Sequence, residues 1–99
     1  MDGADFGFAT LRHCLLDELS AVGATFFGAD LRGSRLYRAK LDRAKIVKAN
    51  LFEADLGKAV VNGTKFNDSS LYGASFVGAS GAGADFNGAN LKRSTLERA

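Results

Sequence analysis

The stretch "YRAKLDRAKIVKANLFEADLGKA", residues 37–59, decides how this chain is read. It is rich in Ala, Leu, Lys and Arg and has no Pro, so by composition it suggests a basic amphipathic helix for a membrane surface, calmodulin or nucleic acid. Its apolar residues point elsewhere. Leu41, Ile46, Leu51 and Leu56 recur every five residues. A helix turns about 100° per residue, so steps of five scatter these side chains over every face. Five is also odd, so a flat strand would send successive members to opposite sides. A coil with one corner per repeat fits, each five-residue side turning one large apolar residue and one small residue inward.

The same phase runs through the whole chain. The column from Phe6 to Leu96 is Leu, Phe, Ile or Val at every step except Ala21 and Gly81. The column two residues earlier, Ala4 to Ala99, is Ala, Ser, Thr or Cys except at Leu19. No charged residue falls in either column, and all 24 occupy the other three. The 99 residues form one domain, 1–99, with 46% hydrophobic residues to build a core.

Units such as Ala29-Asp30-Leu31, Ala49-Asn50-Leu51, Ala54-Asp55-Leu56 and Ala89-Asn90-Leu91, with the Phe versions Ala4-Asp5-Phe6 and Ala84-Asp85-Phe86, resemble the A-(D/N)-L-x-x unit of pentapeptide-repeat proteins. The resemblance covers essentially the whole chain. It implies an all-β fold, a right-handed quadrilateral β-helix with four repeats per coil and about five coils. Sorting by twenty supports four sides independently, because Phe6, Phe26, Phe66 and Phe86 then share one core column and Leu11, Leu31, Leu51, Leu71 and Leu91 another.

Two irregularities carry expectations. Phe76 is the one Phe of its column and shares a coil with Gly81, so its ring is expected to fill the space that Gly81 leaves; the alternative is a local distortion at "GASGAGAD". Solenoid ends need covering. Near the N-terminus Leu11, Cys14, Leu15 and Leu19 also fit one helical face, so a short helical cap is an alternative there. At the C-terminus the repeats run to the last residue, so either the chain is part of something longer or a second subunit covers that end; the preferred reading is an end-to-end homodimer with Leu91 and Leu96 as candidate contacts.

The sequence offers no catalytic constellation. His13 is the one histidine and sits in an outward column; Cys14 occupies an inward, small-residue position. Together they cannot assemble a triad or a four-ligand zinc site. The glycine-rich "GASGAGADFNG" matches no phosphate loop. Enzyme activity, cofactor and small-molecule substrate are therefore not expected. No basic, apolar leader and no apolar run of about 20 residues is present, so the expectation is a cytoplasmic protein without a membrane span.

The surface carries what function is readable. Arg32, Arg35, Arg38, Lys40, Arg43, Lys45 and Lys48 face only Asp42 in that stretch, and on a coil they form a belt rather than a stripe. Phe27, Val47, Phe52 and Tyr72 are apolar or aromatic in outward columns. A period of twenty stacks Arg32, Phe52, Tyr72 and Lys92, a cation–π ladder between coils or a partner patch. The expected function is a scaffold or protein-interaction module. The alternatives are nucleic-acid or acidic-partner binding through the belt, and a DNA mimic that binds topoisomerase, a role the resemblance brings. That last role requires a strongly acidic, elongated dimer, whereas the net charge here is +2.

Overall fold

The computed structural model describes residues 2–94. Every β-bridge in it pairs a residue with the one twenty positions later, in parallel. Four repeats therefore close one turn, and the section is four-sided. The first side carries the ladder Asp5–Thr25–Lys45–Lys65–Asp85 and the second Thr10–Asp30–Asn50–Ser70–Asn90. The third carries Leu15–Arg35–Asp55–Ser75 and the fourth Ser20–Lys40–Val60–Ser80. Each side contributes one bridging residue instead of an extended strand, because the chain turns again within two residues.

The corner explains the period of five. In each repeat the residue two after the large apolar one has positive φ, from Gly3 through Gly88 to Arg93. That is the geometry of a type II turn, which needs a left-handed residue at its third position. The turn closes when the apolar residue's C=O accepts from the N–H three residues on, as Phe6 does from Ala9 at 3.0 Å. Nine of these corners are Gly and ten are not. The ten others, Phe8, His13 and Lys58 among them, hold a conformation that an L-residue adopts at a cost of about 1–2 kcal/mol.

The D/N column has a physical reason as well. The N–H just after the apolar residue finds no backbone partner within the coil. The preceding Asp or Asn supplies one: Asp5 Oδ1 accepts from Gly7 at 2.8 Å, Asp55 Oδ1 from Gly57 at 2.8 Å and Asn90 Oδ1 from Lys92 at 3.1 Å. The fourth side has Ser20, Lys40, Val60 and Ser80 at that position. There the acceptor comes from the turn below: Asp2 Oδ1 takes Val22 N–H, Asp42 Oδ1 takes Asn62 N–H and Asn62 Oδ1 takes Ala82 N–H.

Inside, the two uncharged columns make the core. Phe26, Leu31, Leu36, Leu41, Ile46, Leu51, Leu56, Phe66 and Leu71 are fully buried, with the alanines packed between them. Each such Leu or Phe contributes about 1.5–3 kcal/mol relative to exposure. Phe66 and Phe86 stack at 5.0 Å, and Phe76 meets both edge-on.

Two expectations change here. Residues 11–19 form no helix; they repeat the turn-and-bridge pattern, and the left-handed His13 and Glu18 are incompatible with one. Phe76 does not fill a space left by Gly81: the two border an open depression of about 300 Å³, with Val61 and Phe86. At Gly81 the backbone comes close to the turn below, since a Cβ there would lie 2.7 Å from the Val61 carbonyl carbon. The local distortion is the correct alternative. The block measures 29 × 25 × 20 Å.

Candidate interaction surface

The coil divides the basic belt. Arg32 is held by Asp30 of its own repeat, Nε to Oδ1 at 2.8 Å and Nη2 to Oδ2 at 2.7 Å, with Arg12 at 3.9 Å. The Arg32 hydrogen bond keeps the Asp30 carboxyl below its ordinary range. Arg35 reaches down to Asp17 of the preceding turn at 3.1 Å. Among the described residues, Arg38, Lys40, Arg43, Lys45 and Lys48 have no carboxylate within 4.0 Å. All five are exposed.

Lys40 and Arg43 lie on the fourth side and Lys45 on the first, so the unpaired charge gathers around the corner between them. Lys65, bridged to Lys45, adds a like charge one turn up. Lys65 lies outside the 31–48 stretch, and the period of twenty is the sequence signal that places it beside Lys45. Asp42 sits inside the cluster with Oδ1 on Asn62 N–H at 3.3 Å. Arg38 lies over Tyr37, 5.5 Å from the ring centroid, and its hydrogen bond, followed by that of Lys58, draws the Tyr37 phenol below its ordinary range.

The aromatic residues separate into two groups. Phe52 and Tyr72 stack at 5.5 Å with 9° between planes. The stack joins residues of adjacent turns, as a coil-to-coil contact does. Arg32 goes to Asp30 instead of joining them, and the cation–π contacts of the described residues are Arg38 on Tyr37 and Lys48 on Phe27. The ladder of four is thus reduced to its aromatic pair. Phe27 belongs to the second group: Phe8 meets it edge-on at 5.6 Å, and Lys48 Nζ lies 6.0 Å from its centroid. Phe8 is 75% exposed and Leu15 77%. Both stand in outward columns and were missed, though that placement was their signal.

The remaining candidates lie apart. His13 is exposed, its ring over Gly33; Cys14 is half-buried with a free thiol. Leu91 is half-buried on the last described turn, and Leu96 lies outside the described residues. No group of three or more metal-ligating side chains occurs among the described residues. None of their helices is long and apolar enough to cross a membrane.

The family model for pentapeptide repeats matches residues 22–57, 49–80 and 62–98, with eight copies. A search of curated proteins finds no match. Among solved structures the chain is similar to HetL, a pentapeptide repeat protein involved in heterocyst differentiation regulation from the cyanobacterium Nostoc sp. strain PCC 7120. Identity is 31% over 96% of this chain and 50% of that one, with a TM-score of 0.65. A pentapeptide repeat protein from the Arabidopsis thaliana thylakoid lumen is 28% identical over 94% of this chain and 61% of that one, TM-score 0.76. The plasmid-mediated fluoroquinolone resistance protein QnrB1 shares the fold at 21% identity, over 81% of this chain and 46% of that one, TM-score 0.59. The chain thus spans half to three-fifths of the first two proteins.

Proposed function

The chain belongs to the pentapeptide repeat family, and from that premise we propose that it is a non-enzymatic interaction module that docks an acidic protein surface. The right-handed quadrilateral β-helix of that family supplies a rigid block with side chains in ranks. One observation carries the choice of partner: Lys40, Arg43, Lys45 and Lys65 gather around one corner, with Lys48 at the next, and none has a carboxylate within 4.0 Å among the described residues. Lys45 and Lys65 are direct cross-turn neighbours of like charge, with Asp85 the next residue up the same ladder. Phe27 and Phe8 beside Lys48 add apolar contact area. A DNA mimic would need an acidic surface, and thirteen basic residues stand here against eleven acidic.

A self-contact through the C-terminal turn, with Leu91 and Leu96, belongs to the same reading, as does a cytoplasmic setting. The experiment is fluorescence anisotropy with a glutamate-rich peptide and, separately, a duplex DNA oligonucleotide. Peptide binding that falls with salt and disappears in Lys45→Glu/Lys65→Glu supports the proposal. Equal binding by that variant, or binding of the duplex alone, overturns it.

A further inference from the structure

The fourth side departs from the other three at its ladder position. Where they place Asp or Asn to hold the turn amide, it has Ser20, Lys40, Val60 and Ser80, and Asp2, Asp42 and Asn62 hold that amide from the turn below. The ladder position is thereby released from a backbone duty, and its side chains are free to meet something outside the coil. In the middle of the chain they are Lys40 and Val60, direct neighbours on adjacent turns. Val60 is half-buried and aliphatic, on a ladder otherwise filled by Ser and Lys.

Two arginines of the turn below rise to the level of Val60, one at each corner of that side. At the leading corner Tyr37 rises against Gly57, its Cδ1 3.0 Å from where a Cβ of Gly57 would sit, and Arg38 Cζ lies 5.5 Å from the Tyr37 ring centroid. At the trailing corner Arg43 rises against Gly63 in the same manner, its Cγ 3.5 Å from the Cβ position. A guanidinium resting on a ring keeps its N–H edge for a carboxylate, which it meets with paired hydrogen bonds. Arg38, Lys40 and Arg43 have no carboxylate within 4.0 Å among the described residues. Glu18, one turn below Arg38, makes no ion pair with it. Asp42 and Asp2, at the trailing corner, are turned to Asn62 N–H at 3.3 Å and to Ser20 Oγ at 2.7 Å. The coil thus sets cation, aliphatic residue and cation across one side, with Lys40 beneath the aliphatic residue.

We propose that the fourth side binds an extended peptide segment of the pattern acid-x-aliphatic-x-acid. This rests on the acidic-partner reading and names the sequence that the partner presents. In an extended chain residues two apart share a face. Such a segment lying across the side turns its aliphatic residue to Val60 and its two carboxylates to Arg38 and Arg43. A segment of glutamates alone would press a carboxylate onto Val60, and a charge taken from water against an apolar side chain is disfavoured.

The test is fluorescence anisotropy on the full chain with two labelled peptides of equal charge, one carrying Glu-Ser-Leu-Ser-Glu and the other Glu-Ser-Ser-Ser-Glu. Wild type is expected to bind the leucine peptide about fivefold or more tightly than the serine peptide. Val60→Thr, close in shape to the original, should bring the two within about twofold of each other. Arg38→Gln/Arg43→Gln should weaken both peptides about tenfold or more. Circular dichroism matching wild type keeps misfolding out of the interpretation, and the comparison of two peptides on wild type needs no variant. Equal binding of the two peptides by wild type, lost in Lys45→Glu/Lys65→Glu, overturns the pattern on the fourth side and leaves the acidic-partner reading standing. A wild type that binds neither of them, nor the glutamate-rich peptide, overturns both.

Discussion

Ser69 sits one turn above Ile46 and takes over its turn hydrogen bond. Its Oγ donates to the Ile46 carbonyl at 2.5 Å and accepts from Ala49 N–H at 3.1 Å. The turn Ile46–Ala49 has no direct backbone bond, so the buried hydroxyl closes it. Ser34 differs: its Oγ donates to Leu31 C=O at 2.7 Å, but Ser34 N–H already closes that turn at 3.1 Å.

Ser69→Ala should therefore cost about 1–3 kcal/mol, the penalty for stranding a buried donor and acceptor, and Ser34→Ala about 1 kcal/mol or less. Urea unfolding of both variants checks this. Equal losses would mean that the Ile46 turn recloses without the hydroxyl.

Ser69 also marks the limit of what sequence reading reaches. The two uncharged columns name every fully buried large side chain, because side-chain burial follows the five-residue phase directly. Ser69 fits its column as one small residue among others, and nothing in the linear order says that its hydroxyl enters the turn of residue 46. The corners were hidden for a related reason: with Gly at nine of them and charged residues at most others, the left-handed column resembles ordinary polar surface. The charged belt was legible as a cluster. Its neutralised part and its extension were not, since Asp17 reaches Arg35 across a turn and Lys65 joins Lys45 by bridging.

Two glycines separate backbone conformation from space. Gly23 has φ of +70° and nothing within 4 Å of an added Cβ. Gly23→Ala should cost only the left-handed conformation, about 1–2 kcal/mol. At Gly81 the Cβ would meet the Val61 carbonyl carbon at 2.7 Å and its oxygen at 2.8 Å, which are backbone atoms. Gly81→Ala must displace one turn from the next and is expected to lose more, about 2–3 kcal/mol. Thermal unfolding of the pair decides, and a Gly81→Ala chain as stable as Gly23→Ala would refute the close approach of the two turns.

Acid should weaken the fold through Asp30. Its carboxyl is held below its ordinary value of 3.8, first by the Arg32 hydrogen bond. A carboxylate with a lowered folded pKa contributes stability that is present above the unfolded value and lost as pH falls through the folded one. The contribution of Asp30 is thus intact at neutral pH and disappears below pH 3.8. Asp30→Asn should flatten that acid limb, by a modest amount because Asp30 is partly exposed. Chemical denaturation at several pH values reads the slope, and an unchanged limb in Asp30→Asn would assign the loss to other carboxylates.

Phe52 and Tyr72 test whether an exposed aromatic pair serves the fold or a partner. Their parallel stack spans adjacent turns, so each ring covers the other from water while Phe52 remains 40% exposed. A coil-to-coil role predicts coupling. Phe52→Ser and Tyr72→Ser should each destabilise the chain, and the double variant should lose less than the two together, the difference being about 0.5–1.5 kcal/mol. The glutamate-rich peptide should bind both single variants as it binds wild type, because its cationic corner lies on the fourth and first sides and the stack on the second. Additive losses in stability would deny the stack an energetic role. Lost peptide binding at full stability would move the partner surface to the aromatic side.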